Sequence, residues 1–117
     1  MGQLAKLNER LSDLMPKEKP ALLHGDLWNG NFLVNSEGSA ALIDPAVYYG
    51  HREMDLAMTR LFGGFDPEFY RSYETEFPLQ KGFDSRMELH HLYPLLVHAN
   101  IFGGEYVQQV EQILRKY

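Results

Sequence analysis

Asp26, Asn31 and Asp44 are the residues of this chain whose types and spacing can do chemistry. They lie in His24-Gly25-Asp26-Leu27-Trp28-Asn29-Gly30-Asn31 and in Ile43-Asp44-Pro45, with Asn31 five residues after Asp26 and Asp44 thirteen after Asn31. A carboxylate, then an amide oxygen, then a second carboxylate closing an apolar run is the order used in a phosphoryl-transfer site. The first Asp takes the proton of the attacking hydroxyl. The Asn and the second Asp offer hard oxygen ligands to magnesium, which binds one or two protein carboxylates together with phosphate oxygens. Taken singly, each residue has a plainer reading: Asp26 as a loop residue capping a turn, Asp44 as a cap before Pro45. The joint pattern carries the chemistry.

The elements that must position these residues are legible around them. Phe32-Leu33-Val34 reads as a strand, Asn35-Ser36-Glu37-Gly38 as a turn and Ala40 to Ile43 as the return strand. Asn31 then stands at the entry of a hairpin and Asp44 at its exit, so residues distant in sequence can share one metal ion. Upstream, Leu4, Leu7, Leu11 and Leu14 form one helical stripe closed by Pro16, and Lys17 to Pro20 is a polar connector. Ala21-Leu22-Leu23 is a short apolar run leading into the motif loop. Downstream, Arg52 to Phe62 is helical by pattern and Gly63-Gly64 stops it. Pro67 opens a second helix to about Phe77. Pro78 to Asp84 is a loop, and Ser85 caps a long helix to Phe102 that Pro94 should kink or divide. Glu105 to Tyr117 is a last helix, with Val107, Val110 and Leu114 on one side. The expected fold class is mostly α with a small β-hairpin.

Composition bounds the function. At 117 residues the chain is one domain or part of one, and its 44% apolar content is that of an ordinary globular protein. A net charge of −5 without a Lys/Arg cluster argues against a nucleic-acid or anionic-membrane surface. The absence of cysteine excludes disulfides and thiolate metal sites, and a cytoplasmic setting is compatible with it. Lys6, Glu9 and Arg10 interrupt the first leucines, so a secretory signal is not expected, and no apolar run nears the roughly 20 residues of a membrane span.

The neighbours of the three residues have supporting readings. His24 is expected to hold the loop by packing and hydrogen bonding, with no proton chemistry. Gly25 stands where many protein kinases carry an arginine that pairs with an activation-loop phosphate, which argues against that mode of control. Gly30 is expected to allow a tight backbone turn between base and metal ligand. Trp28 either lines the substrate side or packs in the core. Asp55, early in a helix, is either a first-turn carboxylate favoured by the helix dipole or an acceptor of backbone N–H groups from the catalytic loop.

Taken together these residues resemble the fructosamine (ketosamine) kinase family, a branch of the aminoglycoside-phosphotransferase and choline-kinase-like group. The likeness runs through His24 to Asn31, through Ile43-Asp44-Pro45-Ala46-Val47-Tyr48-Tyr49-Gly50-His51-Arg52-Glu53, and through Asp55-Leu56-Ala57-Met58 and Leu61-Phe62-Gly63-Gly64-Phe65. It continues in Leu92-Tyr93, His98 and Phe102-Gly103-Gly104-Glu105-Tyr106. The resemblance implies a protein-kinase-like fold and ATP-dependent phosphorylation of a sugar hydroxyl on a ketosamine, either a small molecule or a glycated protein. It implies Asp26 as base, Asn31 and Asp44 as magnesium ligands, Asp55 as the support of the catalytic loop, and Tyr48, Tyr49, His51 and Arg52 as residues that approach substrate or are ordinary rim residues.

Such an enzyme also needs a glycine-rich loop over the phosphates, a strand lysine and its glutamate partner. None can be placed: there is no G-x-G-x-x-G, and only 25 residues precede Asp26. The expectation is a partial C-terminal lobe over residues 1–117 without the nucleotide-binding N-terminal lobe, inactive or incomplete alone. Two further readings compete. One is a non-catalytic lobe that binds a partner or pairs with a second copy through uncovered apolar surface. The other is a zinc site at His90, His91 and His98, which lacks a carboxylate to complete a ligand motif and is interrupted by Pro94.

Overall fold

Asn35 organises the turn on which the hairpin depends. Its side-chain oxygen accepts the N–H of Glu37 and of Ser39, and its backbone closes the turn with Ser39 and Gly38. Strands β2 (Phe32–Val34) and β3 (Ala40–Leu42) therefore pair antiparallel, with Phe32 opposite Leu42 and Val34 opposite Ala40. Beyond the last strand pair the Ile43 N–H still donates to the Asn31 carbonyl (3.0 Å), which sets the entry and exit of the hairpin side by side. The structure, a computed structural model, describes residues 2–117.

A second small sheet extends the expected single hairpin. Strand β1 (Ala21–Leu23) pairs antiparallel with β4 (Tyr48–Gly50), Leu23 facing Tyr48 and Leu22 facing Tyr49. Three-residue strands carry too little alternation to be read from sequence, and this pair is made only once the chain has passed through the hairpin.

Five α-helices are found among the described residues: α1 (Gly2–Leu14), α2 (Glu53–Leu61), α3 (Pro67–Glu76), α4 (Phe83–Phe102) and α5 (Glu105–Leu114). The Asp66 carboxylate accepts the Glu68 N–H and Pro67 sits in the first turn of α3, the start signal the sequence shows. The long helix begins at Phe83, two residues before the expected Ser85 cap, and runs undivided through Pro94. Proline withholds only its own N–H and crowds one carbonyl, a cost that a helix of 20 residues can absorb.

The chain divides into two compact units. One comprises the residues up to Lys17 with Asp84–Tyr117. In it α1 meets α5, and Leu7, Leu89, Leu92, Leu95, Val110, Ile113 and Leu114 are buried. Ile113 takes the place expected of Val107, which is 43% exposed. The other unit, Glu18–Phe83, holds both sheets, α2 and α3, with Leu23, Leu27, Leu56 and Ala57 buried. Its strands leave Leu22, Leu33, Val34, Leu42 and Tyr49 more than half exposed. No helix of the described residues is long and apolar enough to cross a membrane.

Candidate active site

Asp55 lies in the first turn of α2, and its two oxygens each take one backbone N–H of the motif loop: Oδ2 that of His24 (2.8 Å) and Oδ1 that of Gly25 (3.0 Å). A carboxylate bridging consecutive N–H groups fixes both the position and the tilt of the loop, and charge makes each bond stronger than a neutral one. Of its two readings, the geometry favours the N–H acceptor over the dipole partner.

His24 works as a three-way strut. Its Nε2–H donates to the Ile43 carbonyl (2.8 Å), its Nδ1 accepts the Asp26 N–H (3.2 Å), and its own carbonyl accepts the Ala46 N–H (2.7 Å). A neutral ring protonated on Nε2 satisfies both side-chain bonds at once. Asp44 lies between Ile43 and Ala46, so the segment carrying it is tied to His24 on either side. Asp44 itself is exposed and has φ of 49°, an unusual backbone for a residue other than glycine.

Asn31 is buried, 6% exposed, and its side-chain Nδ2 donates to the Asp26 carbonyl (2.9 Å) and to Asp26 Oδ2 (3.1 Å). Both partners can only accept, so the amide nitrogen must face Asp26. The Asn31 Oδ1 is thereby turned away from Asp26 and left as a hard oxygen donor. The hairpin brings the Asn31 backbone beside Ile43, one residue before Asp44. The Asn31 oxygen has the Asp26 carboxylate beside it, and the paired segment carries the exposed Asp44 carboxylate; oxygen donors of these kinds suit magnesium.

Close approach adds a reason for two glycines of the loop, and the tight turn expected at Gly30 is present over Asn29–Asn31. Gly25 has φ of +89°, and a Cβ there would lie 2.0 Å from the Ala46 carbonyl oxygen. Any side chain would push the loop off the segment after Asp44, so close approach requires glycine here. Gly30 has no left-handed backbone; a Cβ would instead meet the Trp28 indole at 2.3 Å. Trp28 folds back over Gly30 and sets an edge against Phe62, with ring centres 5.9 Å apart, while remaining 37% exposed. The contact with Phe62 supports the packing reading.

Tyr48, Tyr49, His51 and Arg52, which follow the Asp44 segment, separate. Tyr48 and Tyr49 are neighbours in β4 and point to opposite sheet faces, so one ligand cannot use both in the same way. His51 Nδ1 accepts the Glu53 N–H (3.3 Å) at the start of α2. Arg52 corrects the expectation of a substrate residue. It is 6% exposed, its guanidinium binds both Glu18 oxygens (2.9–3.0 Å) and donates to the Phe77 and Pro78 carbonyls (2.7 Å each). It also stacks on the Phe77 ring at 3.7 Å. Its Nε–H, one Nη1–H and both Nη2–H groups are thus spent on the fold. The bond to Glu18 raises the Arg52 pKa and holds the Glu18 carboxyl below the usual range against the opposing effect of burial.

Asn29, between Asp26 and Asn31, carries no signal in its type or spacing. Its Nδ2 donates to the Gly64 carbonyl (2.7 Å) and ties the loop to the turn after α2. No local signal announces a bond across 35 positions. The proposed zinc histidines do not gather among the described residues, and His98 Nδ1 is bonded to the Pro94 carbonyl (2.7 Å).

Known proteins resemble this chain over most of its length. The family model described as fructosamine kinase matches residues 1–117. A "Probable ketoamine kinase" of Lactiplantibacillus plantarum is 52% identical over 99 residues, covering 85% of this chain and 35% of that protein. The "Ketosamine-3-kinase" of Mus musculus is 45% identical over 96 residues, covering 82% of this chain and 31% of its own length. A crystal structure of a "putative fructosamine-3-kinase" from Thermobifida fusca superposes with a TM-score of 0.85 at 43% identity, over 97% of this chain and 40% of that one. The chain thus spans between 31% and 40% of the length of these relatives. It belongs to the fructosamine kinase family.

Proposed function

We propose that this chain supplies the catalytic loop and the metal ligands of an ATP- and magnesium-dependent kinase acting on a sugar hydroxyl of ketosamines in the cytoplasm. The observation that carries the reading is the Asn31 side chain, whose nitrogen is spent on Asp26 and whose oxygen is left for a cation. Asp26 accepts the proton of the substrate hydroxyl as its oxygen attacks the γ-phosphorus; the bond from that phosphorus to the β-bridging oxygen breaks and ADP leaves. Magnesium, when bound, offsets the charge on the phosphate oxygens, and Asn31 and Asp44 would hold it. Asp55 and His24 keep the base and both ligands in place without touching the reacting atoms.

The test has two parts. Magnesium added with ATP to the ¹⁵N-labelled chain should shift the amides around Asn31 and Asp44, and Asp44→Asn should abolish this. Phosphate transfer to a fructosamine is then measured for the chain alone and with a nucleotide-binding lobe from a relative. Transfer is expected only in the second case and to vanish in Asp26→Ala, because the 117 residues contain no recognisable clamp for the nucleotide phosphates. Turnover unaffected by Asp26→Ala would overturn the assignment. The exposed Leu22, Leu33, Val34 and Leu42 favour a second reading, a lobe that binds a partner or a second copy. That reading requires a mass that rises with concentration in sedimentation while the magnesium shifts are absent.

A further inference from the structure

A groove of about 530 Å³ opens beside the motif loop, lined by Arg60, Gly63, Gly64, Phe65, Pro67 and Tyr70. Two contacts join it to the loop. The Gly64 carbonyl accepts the Asn29 side chain at 2.7 Å, and Phe65 packs against Phe32, the residue after Asn31, with ring centres 5.6 Å apart.

The wall is built rather than incidental. The Thr59 hydroxyl donates to the Leu56 carbonyl (2.6 Å), so Tyr70 O–H donates to Thr59 Oγ1 (2.8 Å) and accepts the Phe65 N–H (3.0 Å). Tyr70 is therefore fixed from two sides. Arg60 lies over its ring at 4.1 Å. None of the ion pairs of the described residues engages Arg60. A guanidinium oriented by an aromatic face and lacking a carboxylate partner presents a flat fork of N–H donors, which matches a carboxylate in two-point contact. Phe65 and Pro67 beside it offer apolar surface to an aliphatic stem.

We propose that this groove is the subsite for the amine-derived part of the ketosamine, and that it selects adducts whose amine carries a carboxylate on an apolar stem. The inference rests on the ketosamine reading above and adds what the acceptor must bear. The carboxylate pairs with Arg60, the stem lies along Phe65 and Pro67, and the sugar extends toward Asp26. A neutral amine adduct leaves Arg60 to water and gains only the stem contacts.

The probes are the fructosyl adduct of 6-aminohexanoate, the same adduct as its carboxamide, and N-acetyl-6-aminohexanoate, which has the carboxylate and stem without the sugar. Each is titrated into the ¹⁵N-labelled chain. The acid adduct is expected to bind about five-fold tighter than the amide, the scale of one partly exposed ion pair. It should shift Gly63, Gly64 and the Arg60 Nε–H, and Arg60→Gln should bring its affinity down to that of the amide while leaving the amide unchanged. Equal affinities for acid and amide, with both shifting the amides from His24 to Asn31, would overturn the subsite and leave the ketosamine reading standing. Shifts at the groove from N-acetyl-6-aminohexanoate, with no adduct disturbing His24 to Asn31, would uphold the anion subsite and remove the ketosamine reading. No shift from any of the three would overturn both.

Discussion

Replacing Asp55 tests whether the motif loop is held by one carboxylate. In Asp55→Ala the N–H groups of His24 and Gly25 lose acceptors at 2.8 and 3.0 Å. A hydrogen bond to a charged group is worth about 1.5–3 kcal/mol, and an N–H left half-buried adds a desolvation cost of about 1–3 kcal/mol unless water reaches it. The two bonds share one anchor and do not add fully, so the loss should be about 2–4 kcal/mol. Asp55→Asn keeps one acceptor oxygen but sets an NH₂ against the other N–H, so it should lose about 1.5–3 kcal/mol despite being nearly isosteric. Urea denaturation of the chain reads the global loss. Amide exchange at His24 and Gly25 reads the local one, because a loop can open without the whole unit unfolding. An Asp55→Asn chain with an unchanged urea midpoint and unchanged exchange at both amides would refute the anchoring argument.

Two further outcomes follow from the same geometry. Gly25→Ala should destabilise the chain by about 2 kcal/mol or more, through a positive φ and a Cβ placed 2.0 Å from a carbonyl oxygen, and should speed exchange of the Ala46 N–H; a loss under about 0.5 kcal/mol would show that the two segments separate freely. The Glu18 pKa is lowered in the folded state, first by its bond to Arg52, so that stabilisation is fully present above the ordinary carboxylate value of 4.5 and is lost as pH falls through the folded value; Glu18→Gln should flatten the acid limb of a stability-against-pH curve, and an unchanged limb would count against the pair.

Much of the frame was legible because local chemistry specifies it. The stripe of α1, the Asp66-Pro67 start of α3, the Asn35 turn and the glycine stop after α2 each lie within a few residues of what they control. What escaped is long-range. The β1–β4 sheet joins segments 25 or more residues apart with three residues each, and neither segment alternates. Arg52 read as a rim residue because a charged side chain after a site motif usually is one; burial came from Glu18, 34 positions away, and from two carbonyls of the loop after α3. The tight turn expected at Gly30 is present, closed by the Asn31 N–H on the Trp28 carbonyl, but the indole that also demands glycine there is not legible, because periodicity contains nothing about which ring will fold over which backbone.

Asp26, Asn31 and the segment of Asp44 are therefore held by neighbouring side chains and backbone that the proposed chemistry does not use. Asp26 is oriented by Asn31, the loop carrying both by Asp55, and the segment of Asp44 by the His24 ring and carbonyl on either side of it. Every one of these partners lies between Glu18 and Phe83, in the same unit as the residues they position. The arrangement of Asp26, Asn31 and the segment of Asp44 is thus a property of that unit's own hydrogen bonds. On the proposed reading, a cation held by Asn31 and Asp44 would meet a backbone already fixed at Ile43 and Ala46, so little conformational entropy would remain to be lost on binding. What the unit's bonds do not fix is the exposed Asp44 carboxylate, and that side chain is where ordering by the metal itself should be greatest.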